Sequence, residues 1–414
     1  MIGLRAVLAC LLAAIPTTAQ ILVDPNTPEG KSAIDSFDKY LDASSVGKLA
    51  CTVNRYPPTL DYGLRLWAGF NAVLPAAQFP MKPGDPAVVM FRVRPTSAPT
   101  PPSYFWTRFN VPAKPPQVTD VRKLEFSVGG GFLLGPGKYS VDWFMLDSTG
   151  RRCRQSWTLK AEARNATVVT PPNTVEAADR QFWTGFPQDS TKPSHVTVFL
   201  HAAPIRPRNY VAKLSPWDRQ VLLSSLVSLL REGGFTSASV VVFDLERRQV
   251  LYREPQFSRR GLRDLARQLA TVNLSTISME VMTSGPSPGE FLEGLLRNEL
   301  KEPKPSDTFV FLGTTWRAGP KLPPAPPDLR EAVPPTWFLA LSTPYFAPHR
   351  DPIRQPLPPR DLPLDLRPSG LGDLDSVTSL VRSLKGKVIT IYRPVDLAGG
   401  IRLLTAGRNS TAGQ

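Results

Sequence analysis

The chain has 414 residues, enough for two or three domains, and its 42% hydrophobic content can fill cores of ordinary size. Three Cys and three His exclude a disulfide-dense scaffold and a multi-zinc protein, and beyond residue 19 no run approaches the ~20 apolar residues of a spanning helix. Lys+Arg 49 over Asp+Glu 35 leaves +14, and the 45 prolines are about twice the usual share.

Residues 1–19 carry the order of a secretory signal peptide. Arg5 leads, Ala6 to Ile15 is an apolar run too short to cross a bilayer, and the small residues Thr17 and Ala19 precede a cut ahead of Gln20. Export to a secreted or periplasmic location follows, with +13 on the mature chain and two cysteines, Cys51 and Cys153, expected to form one disulfide. Residues 20–46 form a lead segment, in which Ile34, Phe37 and Leu41 share one face of a helical stretch over Ser32 to Leu41.

From 47 to 165 the period changes to two. Leu64, Leu66, Ala68 and Phe70 alternate, as do Val89, Phe91 and Val93, and so do Tyr139, Val141, Trp143 and Met145. Asp147-Ser148-Thr149-Gly150 then turns the chain into Cys153, Trp157 and Leu159, which predicts a hairpin. Gly135-Pro136-Gly137 reads as a turn before it, and Gly129-Gly130-Gly131 as a flexible turn. Short strands between Pro/Gly turns predict an antiparallel β-sandwich, its first strand tied to its last hairpin through Cys51 and Cys153. The run PGKYSVDWFMLDSTGRR resembles strands of an immunoglobulin-like domain. Residues 166–194, with Pro171-Pro172, read as a linker.

Residues 195–404 switch to strand–helix alternation. His195 to Leu200 is an apolar strand, and Ser215-Pro216-Trp217-Asp218 caps a helix with Val221, Leu222, Leu226, Leu229 and Leu230, ended by Gly233-Gly234. Strand Ser239 to Leu245 turns at Glu246 to Arg248 into Gln249 to Tyr252, and a helix over Ser258 to Ala270 follows. Ser287-Pro288-Gly289-Glu290 is a capping box opening Phe291 to Leu300. Strands Thr308 to Leu312 and Thr336 to Leu341, a helix over Asp373 to Leu384 and strand Val388 to Tyr392 complete the pattern of a parallel sheet with helices on both faces. Gly319 to Pro335 and Pro348 to Pro368 read as long proline-rich loops, and 405–414 as a disordered tail.

The run SVVVFDLERRQVLYREPQFSRRGLRDLARQL, with TSGPSPGEFLEGLLRNEL after it, resembles the von Willebrand factor type A family. The resemblance implies an α/β, Rossmann-like open sheet. It also implies Mg2+ held by an Asp-x-Ser-x-Ser motif after the first strand, a Thr from a later loop and an Asp after the fourth strand. Here His201, Ala203 and Ile205 stand where the first motif would be, and Gly313, Thr314 and Thr315 follow the fourth strand. One imidazole and two hydroxyls do not hold a hard cation, so no metal and no cofactor is expected. The same strand ends are the ligand edge of an open α/β sheet, where His201, Arg206, Ser284, Ser287, Thr314, Thr315 and Trp316 are expected to converge. They are either a binding face or ordinary loop residues around a decayed metal site.

Other chemistry is thin. There is no Gly-x-Ser-x-Gly and no Walker A loop, His201 is the best-placed imidazole, and Asp244 and Glu246 read as solvated residues of a hairpin turn. Arg259, Arg260, Arg263 and Arg267 form a basic stripe on one helix, preceded by Arg247, Arg248 and Arg253. The stripe is either a solvated face or an attraction to an anionic surface, and no nucleic-acid platform accompanies it. The triplets at Asn165, Asn273 and Asn409 matter only in a eukaryotic secretory pathway, and the chain looks like a bacterial export product. The expectation is an exported, non-enzymatic protein that binds another protein or an anionic envelope surface. The alternative is a hydrolase using His201 and a nearby hydroxyl.

Overall fold

A computed structural model describes residues 20–42, 47–75, 85–110, 125–162, 168–178, 183–186, 194–205, 213–272, 285–315, 323–342 and 375–411. The signal-peptide reading of 1–19 and the proline-rich stretch 348–368 lie outside these residues. The chain divides into two units, Met1–Asp61 with Arg65–Arg180, and Tyr62–Leu64 with Gln181–Gln414.

The first unit contains β1 (Ile21–Leu22), α1 (Pro28–Asp42), β2 (Thr52–Leu60), β3 (Leu66–Pro75), β4 (Pro86–Pro95), β5 (Ser103–Asn110), β6 (Glu125–Leu134), β7 (Gly137–Leu146), β8 (Arg152–Ala161) and β9 (Val175–Ala177). They form two antiparallel sheets, β1-β5-β4-β7-β8 and β2-β3-β6-β9. Period-two alternation sends Ala68, Phe70 and Ala72 of β3, Val89, Phe91 and Val93 of β4, and Tyr139, Val141 and Trp143 of β7 into one shared core. The Cys51–Cys153 bond joins residues flanking β2 and within β8, with Cα atoms 6.0 Å apart. The opposite face of the first sheet takes α1, whose Ala33, Phe37 and Leu41 pack on Met90, Tyr104 and Phe144. Arg92 fixes the helix there, bonding Asp38 of α1 and Asp142 of β7, each at 2.8 Å. The β7–β8 turn is held by Asp147, whose Oδ1 accepts from the amides of Thr149 at 3.0 Å and Arg151 at 2.8 Å, with Gly150 at φ 82°.

Two expectations change in this unit, the turn at Gly129-Gly130-Gly131 and the linker at 166–194. Gly129-Gly130-Gly131 is no flexible turn: it lies inside β6, and Gly131 pairs with Gly69 of β3. The Trp67 indole crosses that pair, so a Cβ at either glycine would come within 2.5 Å of the ring; only bare backbone admits it. Strand β2 carries Pro57 and Pro58, tolerated because it is a sheet edge and its register slips between Tyr56 and Thr59. The 166–194 segment is more than a linker, because β9 pairs with β6 and Trp183 is buried in the second unit's core.

The second unit contains β10 (His195–His201), α2 (Pro216–Glu232), β11 (Ser237–Asp244), β12 (Gln249–Glu254), α3 (Arg259–Thr271), α4 (Pro288–Leu300), β13 (Thr308–Thr314), α5 (Pro327–Ala332), β14 (Thr336–Leu341), α6 (Ser376–Ser383), β15 (Lys387–Ile391) and α7 (Pro394–Thr411). Its sheet runs β12-β11-β10-β13-β14-β15, with every pair parallel except β11–β12. β10, β13 and β14 are buried throughout, which is why they read as predominantly apolar runs. Val198, Val240 and Leu312 face α2, α3 and α7, whereas Phe199, Val241 and Phe311 face α4, α5 and α6. Capping boxes at Ser215–Asp218 and Ser287–Glu290 start α2 and α4.

Two expectations change here. Helix α5 interrupts the proline-rich 319–335 stretch, with Leu329 buried as its anchor. Residues 405–411 are not a disordered tail but the last turns of α7, which buries Leu397, Ile401 and Leu404. Gly400 and Gly407, seven residues apart on one face, let that helix approach the sheet: a Cβ would meet Leu339 at 3.2 Å and Trp337 at 3.1 Å respectively.

Candidate functional site: a strand edge and an arginine face

The carboxyl ends of β10, β11 and β13 meet around His201. The residue is 2% exposed, and its ring stacks on Phe243 with centroids 5.0 Å apart and planes at 12°. Gly313, at φ 147°, lies against it, and a Cβ there would stand 2.7 Å from His201 Cβ. Nδ1 is 3.0 Å from the Thr314 carbonyl. A carbonyl only accepts, so Nδ1 carries the proton of the neutral ring. Burial pushes the His201 pKa below its usual value, outweighing the upward pull of the Thr314 carbonyl and of the Asp244 and Asp375 carboxylates.

Both carboxylates are engaged. Asp244 is buried rather than solvated, and its Oδ1 accepts from the Glu246 amide at 2.9 Å and the Arg247 amide at 3.2 Å, while Arg247 Nε stands 3.7 Å from Oδ2. Burial, then the neighbouring Asp244, pushes the Glu246 carboxyl up. Asp375 is the N-cap of α6, accepting from Thr378 N at 2.7 Å. Thr314 Oγ1 lies 3.4 Å from the Thr315 carbonyl.

His201, Thr314 and Thr315 are thus brought together. Ser287 serves as the N-cap of α4, beside the β11–β12 turn, where Arg248 Nη1 donates to Gly285 O at 3.3 Å. Arg206, Ser284 and Trp316 lie outside the described residues. Among the described residues, no group of three or more His, Cys, Asp or Glu is arranged to hold a metal. The side chains following His201, Ala203 and Ile205, are apolar and buried, which does not fit a hard divalent cation. A general base must reach its substrate; here His201 is buried, with Nδ1 against the Thr314 carbonyl. Sequence reasoning missed Phe243 and Asp375, the burial of Asp244 and the contact of Gly313 with His201. The positive φ of Gly313 is a tertiary fact, whereas the capping role of Asp375 is local, and Asp375 ahead of Ser376–Ser383 carries a visible N-cap pattern.

The basic run resolves into two groups. Arg247 is bound to Asp244, Arg248 to Gly285, and Arg253 to Glu299 at 2.6 Å and Glu302 at 3.1 Å. On α3, Leu262, Leu265 and Leu269 are buried while Arg259, Arg260, Arg263 and Arg267 are all exposed. Asp264 pairs with Arg267 and lies 3.9 Å from Arg260. The outward face therefore carries four guanidinium groups and one carboxylate.

No family model matches the chain, and no curated protein matches it. Among solved structures, the conserved hypothetical protein BatB of Bacteroides thetaiotaomicron is similar over 52% of this chain and 99% of its own, at 12% identity and a TM-score of 0.30.

Proposed function

We propose that the chain is an exported, non-enzymatic interaction protein. In this reading an immunoglobulin-like β-sandwich precedes a metal-independent, Rossmann-like unit of the von Willebrand type A kind, which binds an anionic envelope surface. Numbering the second sheet's strands from β10 in chain order, the spatial order 3-2-1-4-5-6 with an antiparallel edge strand supports that architecture. The single observation that carries the binding reading is the one-sided exposure of Arg259, Arg260, Arg263 and Arg267 over a leucine-buried helix. A basic helix face held rigidly by its apolar side attracts anionic headgroups at about 1 kcal/mol per cation.

The test uses vesicles of phosphatidylglycerol and of phosphatidylcholine. Retention is expected on the first alone and is expected to fall as salt shortens the screening length. Reversing Arg259→Glu and Arg263→Glu together should weaken retention at least roughly 30-fold, the equivalent of about 2 kcal/mol. Equal retention on both lipids, or a variant that binds as the parent does, would refute the reading.

A further inference from the structure

At the far side of the second sheet from β12, β15 pairs with β14 alone among the described residues. One row of its backbone N–H and C=O groups therefore has no ladder partner there, and such an edge is a template for another extended chain. Helix α7 runs beside it, and between strand and helix lies an open groove of about 620 Å³. Its walls are apolar: Trp337, Val388, Ile389, Leu403 and Ala406. Leu403 is 59% exposed, a large apolar side chain left outside the core. Lys387 adds one cation, its Nζ 4.9 Å from the centre of the Trp337 ring.

Charge selects the occupant. Lys385, Lys387, Arg393 and Arg402 are exposed on or beside β15 and α7, and between residues 385 and 407 the one acidic residue is Asp396, bound to Arg393. A second copy of this edge would bring like charges together. An acidic chain would not, and a strand edge beside an apolar groove suits an extended peptide, whose main chain continues the ladder while alternate side chains enter the groove. We propose that this groove takes an extended, acidic segment of a partner protein by strand addition to β15, with apolar side chains between Trp337 and Leu403 and a carboxylate on Lys387. This site is separate from the arginine face of α3.

The test selects from displayed random peptides of ~10 residues against the full chain. Enriched sequences are expected to alternate apolar residues with others and to carry Asp or Glu. Binding should slow hydrogen exchange at the β15 amides and weaken about tenfold or more on Lys387→Glu or Leu403→Glu. Both positions are exposed, so an unchanged melting temperature certifies the fold of each variant. The Arg259→Glu/Arg263→Glu chain should bind the peptides as the parent does, which separates failure here from failure of the lipid reading. Three binding results overturn the proposal: no acidic enrichment, binding insensitive to both substitutions, or a dimer that Leu403→Glu dissociates. In the last case a second copy is the occupant. Protection of the β15 amides in the free chain equal to that of β14 overturns it as well, since the edge would then already be covered.

Discussion

His195 and His201 stand at opposite ends of β10 and hold their protons on opposite nitrogens. Lys304 donates to Ser237 Oγ at 2.7 Å, and Ser239 Oγ donates to the Pro255 carbonyl at 2.9 Å. Ser239, its one proton committed, accepts from His195 Nε2 at 3.0 Å, and Ser237 donates to Nδ1 at 2.9 Å. His201, by contrast, is protonated at Nδ1, against Thr314. Burial lowers both pKa values; Lys304 adds to it at His195, where Asp307 pulls weakly the other way. In the unfolded chain both rings take up protons as pH falls through 6.5, while in the folded chain they do so only at lower pH. Their contribution to stability is therefore complete above that value and lost below it. Glu246 and Glu299, pushed up by burial, act in the opposite sense nearer 4.5. The melting temperature should fall between about pH 7.5 and about pH 5.5, and His195→Gln should shrink the fall. An identical fall in parent and variant would mean that His195 titrates in the folded chain as it does in water.

The disulfide is an element-scale device. It closes a loop of 102 residues and ties a residue at the foot of β2 in one sheet to β8 in the other. In the chain-entropy account such a closure stabilises by about 4–5 kcal/mol. Cys51→Ser/Cys153→Ser should lose that amount in denaturant melts, and the parent should yield no alkylatable thiol at these positions before reduction. Loss of less than about 1 kcal/mol would mean that the two sheets are held by their shared core alone. Elements of this fold differ in how plainly the sequence announces them, for physical reasons. Strands buried on both faces, β10, β11, β13 and β14, are predominantly apolar runs, and α2 and α4 open on capping boxes that depend on neighbours in sequence. β6 and α7 are hidden by the glycines that make them possible, since Gly131 needs Trp67 and Gly407 needs Trp337 to have a meaning. β2 is hidden by prolines that only an edge position excuses. The candidate site follows the same division. His201 and Thr314 end adjacent parallel strands, which the strand order makes legible, whereas the burial of Asp244 beneath its own turn depends on packing that no local pattern records.

At the scale of the whole molecule, a net charge of +14 attracts any anionic surface, so affinity for one is weak evidence about location. No described helix is long and apolar enough to cross a membrane, and the disulfide suits an oxidising compartment. What distinguishes a docking face from bulk charge is position. Each Arg→Glu or Lys→Glu reversal removes two charges, so Arg259→Glu/Arg263→Glu and Lys31→Glu/Lys39→Glu both take the chain from +14 to +10. The lysines are exposed on α1 in the first unit, the arginines on α3 in the second. Long-range attraction scales with total charge and weakens equally in the two variants, whereas contact at a headgroup layer acts within a Debye length, ~8 Å at physiological salt. Retention on phosphatidylglycerol vesicles near that salt should therefore fall at least about tenfold further for the arginine pair than for the lysine pair. Equal losses would make the molecule a diffuse polycation and remove α3 as a site.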